Sequence, residues 1–288
     1  MSPAREVFGV RFQNPILLAA GTAGYGRELA GVMDLRRLGG IVSKAVSLAP
    51  RVGNAPPRVA EYRGGMLNSV GLANPGLASV RDEHLPWLVA NAGPARIIVN
   101  VVGFETDEYA AVIGGLEAVG GITAYELNLS CPNTSAGGIE FGADPHCVRR
   151  ILEGCRARTR RPLIAKLSPV LPDIGGMAVV ARDAGADGIS VVNTVPGSLT
   201  HDDGRPRLGH GAGGVSGPAL LAIGVRAVSR VLECTGGMPV VGVGGVSTAA
   251  DARQYLRAGA TLVAIGTAGL ADPRVPERVI AQLEHAGA

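Results

Sequence analysis

Eight short apolar runs rich in β-branched residues punctuate the chain, at residues 16–20, 41–44, 96–101, 125–129, 162–167, 188–192, 239–243 and 261–265. They are largely apolar throughout rather than alternating, the pattern of strands buried on both faces. Stretches with helical spacing of apolar positions lie between them, at 107–119, 145–158, 175–184, 218–234 and 248–258. Gly185 and Gly259 follow two of these where a helix would end. Strand and helix in alternation predict parallel strands. Eight such units predict an α/β fold, a (β/α)8 or TIM barrel, as a single domain over residues 1–288. An open doubly wound sheet would want G-x-G-x-x-G after its first strand, and Gly21-Thr22-Ala23-Gly24-Tyr25-Gly26 lacks that spacing. Two polar, Gly-rich insertions, 57–76 and 196–217, break the alternation. Loops of that length act as lids or binding loops, and here they belong at the C-terminal face of the barrel.

The active site of such a barrel lies where the strands end. Those ends carry Gly21-Thr22, Lys44, Asn100, Asn128 to Cys131, Lys166 to Ser168, Asn193-Thr194, Gly244-Gly245 and Gly266-Thr267. The chain has nine Asn, and three of them fall at these eight ends. A lone Asn there would cap a turn. Three amides sharing one mouth suit a flat heterocycle with alternating N–H and C=O groups. The Gly-rich turns after the last two strands let backbone N–H groups approach an anion, the usual phosphate site of this fold.

Composition sharpens this reading. Of 27 basic residues only Lys44 and Lys166 are Lys, and both sit in apolar surroundings. Arg serves wherever a plain surface charge suffices, so the two lysines mark positions where a compact, tunable charge is needed. The formal net charge of +3 is too small to argue for a nucleic-acid partner. No apolar run is long enough for a membrane span, and the first residues show no signal-peptide pattern, so a cytoplasmic location is expected. The four cysteines, Cys131, Cys147, Cys155 and Cys234, form no C-x-x-C pair, so no metal site is expected. Cys131 lies in a loop at the mouth, where a thiol can serve as general base. The other three fall in helical segments and read as small buried hydrophobes. A phosphate-bearing cofactor, two lysines, amides and one thiol form a set that FMN would satisfy, with Lys166 stabilising negative charge on the reduced ring.

Several segments resemble the dihydroorotate dehydrogenase family. They are Asn14-Pro15-Ile16-Leu17, Met66-Leu67-Asn68-Ser69-Val70-Gly71-Leu72 and Glu126-Leu127-Asn128-Leu129-Ser130-Cys131-Pro132-Asn133. Val192-Asn193-Thr194, Gly214-Val215-Ser216-Gly217-Pro218 and Val241-Gly242-Val243-Gly244-Gly245 follow in the family's order. Cys131 resembles the class 1 base, and Gly71-Leu72-Ala73-Asn74-Pro75-Gly76 looks most like class 1B. The resemblance implies oxidation of dihydroorotate to orotate in de novo pyrimidine (UMP) biosynthesis. Cys131 would take the C5 proton while hydride leaves C6 for FMN N5. It implies one FMN per chain, held by Thr22, Lys44, Ala45, Asn100, Asn128, Lys166, Val192, Gly217, Gly244, Gly245, Gly266 and Thr267. Lys44, Asn68, Ser69, Val70, Gly71, Leu72, Asn128, Asn193 and Thr194 would hold the substrate. Class 1B further implies a partner subunit carrying FAD and a [2Fe–2S] cluster, which passes electrons to NAD. The present chain would then be the homodimeric core of a heterotetramer. One departure is Leu220-Leu221-Ala222, where many relatives place a basic residue followed by Pro.

Other readings use the same residues differently. Dihydropyrimidine dehydrogenases and dihydrouridine synthases have a similar FMN site and a Cys, although the synthases would want an RNA-binding surface. A flavin-free barrel lyase would use Lys166 as a Schiff base. A scaffold subunit without chemistry would have no use for both lysines and Cys131.

Overall fold

The computed structural model describes residues 4–130 and 141–285. The chain opens with a hairpin of β1 (Arg5–Val7) and β2 (Val10–Phe12), followed by β3 (Ile16–Leu18) and β4 (Gly40–Val42). An insertion carries β5 (Val59–Tyr62) and β6 (Gly65–Asn68). Helices α1 (Gly76–Ser79) and α2 (Leu85–Asn91) follow, joined by a π-helical turn. Next come β7 (Arg96–Val101), α3 (Thr106–Leu116), β8 (Ile122–Asn128), α4 (Pro145–Arg156), β9 (Leu163–Leu167) and α5 (Ile174–Asp183). After β10 (Gly188–Val191) a second insertion carries β11 (Val195–Ser198) and β12 (Ala212–Ser216). The chain closes with α6 (Leu220–Thr235), β13 (Val240–Val243), α7 (Ala249–Arg257), β14 (Leu262–Ile265), α8 (Thr267–Ala271) and α9 (Val275–His285).

Eight of these strands, β3, β4, β7, β8, β9, β10, β13 and β14, pair in parallel and close into a barrel. They are the eight apolar runs of the sequence. Leu17, Val42, Ile98, Ala124, Ile164, Val241 and Leu262 fill the barrel's interior. Their strand neighbours, such as Ile41, Ile97, Tyr125, Leu163 and Ile189, pack outward beneath the helices. Both faces are therefore buried, which explains the absence of polar alternation. Helix starts are fixed locally: Asp144 and Asp173 accept backbone N–H bonds at the starts of α4 and α5. Thr248 and Asp251 form a reciprocal capping box on α7. The β1–β2 hairpin plugs the N-terminal end, with Val7 and Phe12 joining the interior cluster and the Phe8 ring lying against Gly188.

The two insertions are not plain loops. They combine into one four-stranded antiparallel sheet, ordered β11-β12-β6-β5, separate from the barrel. Local pattern could not announce it, because β12 is Ala212-Gly213-Gly214-Val215-Ser216 and its partner β6 lies about 150 residues away in the chain. The sheet stands at the C-terminal ends of β10 and β14. Ser216 Oγ accepts a 2.8 Å bond from Thr267 Oγ1, and a methyl group at Gly214 would collide with Thr194.

Among the described residues no helix is long and apolar enough to cross a membrane.

Candidate active site

The interior positions of the barrel can be followed upward two residues at a time, because strand side chains alternate. Above Ile98 comes Asn100, above Ala124 comes Glu126 and then Asn128, and above Ile164 comes Lys166. Above Val42 comes Lys44, two residues past the end of β4 and half-buried rather than enclosed. Above Val243 and Ala264 come Gly245 and Gly266. The lower barrel is thus apolar, and polar groups begin at one level near the strand ends.

Strand register brings these groups side by side. Asn100 pairs with Glu126 across β7 and β8, Asn128 with Lys166 across β8 and β9, and Lys166 with Ser190 across β9 and β10. Asn100 Nδ2 donates to Glu126 Oε1 at 2.7 Å, and Lys166 Nζ lies 3.6 Å from the same oxygen. Asn193 Nδ2 donates to Asn128 Oδ1 at 3.2 Å, and Asn193 Oδ1 accepts from the Thr194 N–H at 2.8 Å. Asn128, Asn193 and Thr194 are therefore brought together. Asn68 joins them at the sheet: its Nδ2 donates to the Gly214 carbonyl at 3.1 Å, beside Thr194.

Ser69, Val70, Gly71 and Leu72 follow Asn68, but their contacts run to the neighbouring loop. Asn54 donates to Ser69 Oγ and bonds the Val70 carbonyl through its backbone N–H. A side chain at Gly71 would strike Asn54. Asn74 donates to the Leu72 carbonyl and to Ser47 Oγ, which ties this segment to the chain just after Lys44. Ala45 is buried, and its carbonyl accepts the Tyr25 hydroxyl at 2.9 Å. Burial, and Glu28 beside it, hold that phenol far above its usual range.

The glycine turns form a ledge along the opposite part of the mouth. Gly244 and Gly245 adopt φ of +121° and +74°, conformations that suit residues without a Cβ. A methyl group at Gly245 would meet the Leu221 N at 2.5 Å, and one at Gly244 would meet Val192 Cγ2 at 3.5 Å. Among the described residues the N–H groups of Gly244 and Gly245 have no backbone acceptor. Tyr255 Oη donates to the Gly244 carbonyl at 2.7 Å and fixes the turn from behind. Gly217 touches Gly65 of the second sheet, while Gly266 lies against Ala19 and Thr22, with Thr267 bonded to Ser216. The ledge thus gathers Gly217, Gly244, Gly245, Gly266 and Thr267 with Thr22 and Val192.

Two observations test whether a phosphate-bearing flavin suits these residues. The ledge offers backbone donors where side chains would obstruct an anion. Ser168 and Ser190, flanking Lys166, have buried hydroxyls with no partner among the described residues. Both fit a polar group seated in the mouth. Cys131 lies outside the described residues. Of the other thiols, Cys155 is fully buried, and burial pushes it up to about 12, as an inert packing residue requires.

Sequence reasoning missed Glu126 as a site residue. It is 3% exposed, in the same interior row as Ala124 and Asn128. A carboxylate between Tyr125 and Leu127, inside an apolar run, shared with the lysines the signal of apolar surroundings, though not that of rarity.

A family model described as Dihydroorotate dehydrogenase matches residues 3–286. The chain is 44% identical to the dihydroorotate dehydrogenase B (NAD(+)) catalytic subunit of Desulforudis audaxviator, over 98% of this chain and 91% of that one. It is 41% identical to the protein of the same name from Trichlorobacter lovleyi, over 99% and 94%. A relative from Aquifex aeolicus, 42% identical over 97% and 92%, has a name of the dihydroorotate dehydrogenase A (fumarate) type.

Proposed function

The chain belongs to the dihydroorotate dehydrogenase family, and on that premise we propose how its residues oxidise dihydroorotate to orotate in pyrimidine biosynthesis. The observation that carries the assignment is the row Asn128, Lys166 and Ser190, with Asn193 bonded to Asn128. It sets amides and an ammonium side by side at the mouth, facing a ledge of backbone donors.

FMN, one per chain, supplies the two-electron acceptor of the reaction at its N5. The ledge of Gly217, Gly244, Gly245, Gly266 and Thr267 holds its phosphate end, where backbone N–H groups meet negative charge. Thr22, Lys44, Ala45, Asn100, Asn128, Lys166 and Val192 would line its ring, and Lys166 would supply positive charge that favours the reduced form. Asn68, Asn128, Asn193 and Thr194 present donors and acceptors to the pyrimidine's alternating N–H and C=O groups. Lys44 and the segment Ser69, Val70, Gly71 and Leu72 receive its carboxylate. Cys131, as thiolate, takes the proton from C5, so that proton and hydride leave adjacent carbons. All of residues 1–288 then serve one FMN-binding barrel domain.

The names of the B (NAD(+)) relatives support an electron route to NAD. In this reading a second subunit with FAD and a [2Fe–2S] cluster carries the electrons, and the barrel chain forms the homodimeric core of a heterotetramer in the cytoplasm. A Schiff-base lyase is disfavoured because a nucleophilic lysine needs a free electron pair, whereas Lys166 sits in an ion pair with Glu126.

The test is a visible spectrum of the purified chain, repeated anaerobically after adding L-dihydroorotate. Flavin bands that bleach support the assignment. A flavin that ignores dihydroorotate points to a different pyrimidine, and a colourless protein that FMN cannot reconstitute overturns the cofactor. Without its partner subunit the bleached chain should leave NAD unreduced.

A further inference from the structure

We propose that Glu126 is a positioning residue for Lys166, and that its carboxylate sets the charge the flavin ring meets at the barrel wall. The inference rests on the FMN reading above. Glu126 is 3% exposed and Lys166 is 8% exposed, and both stand in the first polar level above Ala124 and Ile164. Burying two charges at that level costs more than an apolar pair would, so packing alone gives no reason for them. Their geometry gives one. Glu126 Oε1 accepts a hydrogen bond from Asn100 Nδ2 at 2.7 Å, which fixes the carboxylate against β7. Lys166 Nζ stands 3.6 Å from that oxygen, close enough for strong attraction and beyond a direct hydrogen bond. Among the described residues Lys166 Nζ has no hydrogen-bond acceptor, so its N–H groups remain for a group seated in the mouth.

The consequence is a balance of charge. Two lysines face the mouth, and Glu126 offsets one of them. Two-electron reduction places negative charge on a flavin, and the ammonium favours it while the carboxylate opposes it. Glu126 thereby keeps Lys166 in place and restrains how strongly it draws electrons into the cofactor.

The experiment is a midpoint-potential titration of the flavin-loaded protein. Glu126→Gln keeps the shape and the acceptor for Asn100 but removes the charge. It should raise the reduction equilibrium at least tenfold, about 30 mV for a two-electron couple. Glu126→Asp withdraws the charge by one methylene and should shift the potential upward by less. This second variant carries the test if the Gln variant fails to fold. An unmoved or lowered potential in both variants overturns the inference. If dihydroorotate still bleaches the wild-type flavin, that failure belongs to Glu126 alone, whereas a wild-type chain that takes no flavin overturns both readings.

Discussion

A buried polar or charged group inside a strand is costly, and the amide of Asn100 and the charges of Glu126 and Lys166 gather near the strand ends of the barrel wall. Lys166→Ala should slow reduction of the bound flavin by dihydroorotate on the order of a hundredfold, the scale of losing one preorganised charge at a reacting group. Borohydride should trap no adduct in either protein. A trapped adduct in the wild type would restore the lyase reading. Asn193→Ala should raise the KM for dihydroorotate several-fold with the flavin spectrum unchanged, because Asn193 bonds Asn128 and Thr194 rather than the glycine ledge. Most residues of the candidate site stood out in the sequence. Both lysines stood out because the chain otherwise uses Arg, and the Asn residues because they ended apolar runs. Glu126 was not singled out because Glu is common in the chain, so only its position within a strand distinguishes it.

At the scale of elements, the turn between β13 and α7 ties the ledge to the helical layer. The α7 cap holds it from one side and the Tyr255 hydroxyl from the other. Thr248→Ala should cost about 1 kcal/mol of stability, the typical value of a lost N-cap, read as a lower unfolding midpoint in urea. Burial pushes the Asp251 carboxyl up, but backbone and hydroxyl bonds from Ser247 and Thr248 outweigh it and leave the group below its ordinary value. A carboxyl depressed by folding stabilises the fold above its unfolded pKa of about 3.9 and loses that contribution as pH falls through the lower folded value. Asp251→Asn should therefore flatten the fall of stability in the window just below about pH 4, measured by urea midpoints across that range. Gly242→Ala should destabilise by about 1–3 kcal/mol, since a methyl group there runs into the Tyr255 ring. The barrel strands and five of the helices were legible because each is announced by its own local run. The second sheet was not, because its strands are short, β12 is Gly-rich, and the β6–β12 pairing that unites the sheet joins segments far apart in the chain.

Across the whole molecule, the barrel and the second sheet divide the labour. The barrel fixes the lysines, Glu126 and the ledge, while the sheet brings Asn68 beside Thr194. Orotate should slow amide hydrogen exchange in β6 and in β11 and β12, where the sheet meets the mouth. Exchange unchanged by saturating orotate would remove the sheet from the substrate site.

The pairing of β6 with β12 has a consequence for how the protein is made. Asn68 leaves the ribosome 146 residues before Gly214, to which it bonds. Barrel closure waits longer still, for β14 to reach β3. Contacts that span so much chain form late, because the loop they close must first be ordered. The first half of the nascent chain thus emerges with the edges of β3, β8 and β6 still unpaired and with no substrate pocket. Binding competence arrives in one step near the end of synthesis, so a truncated product is catalytically silent rather than partly active.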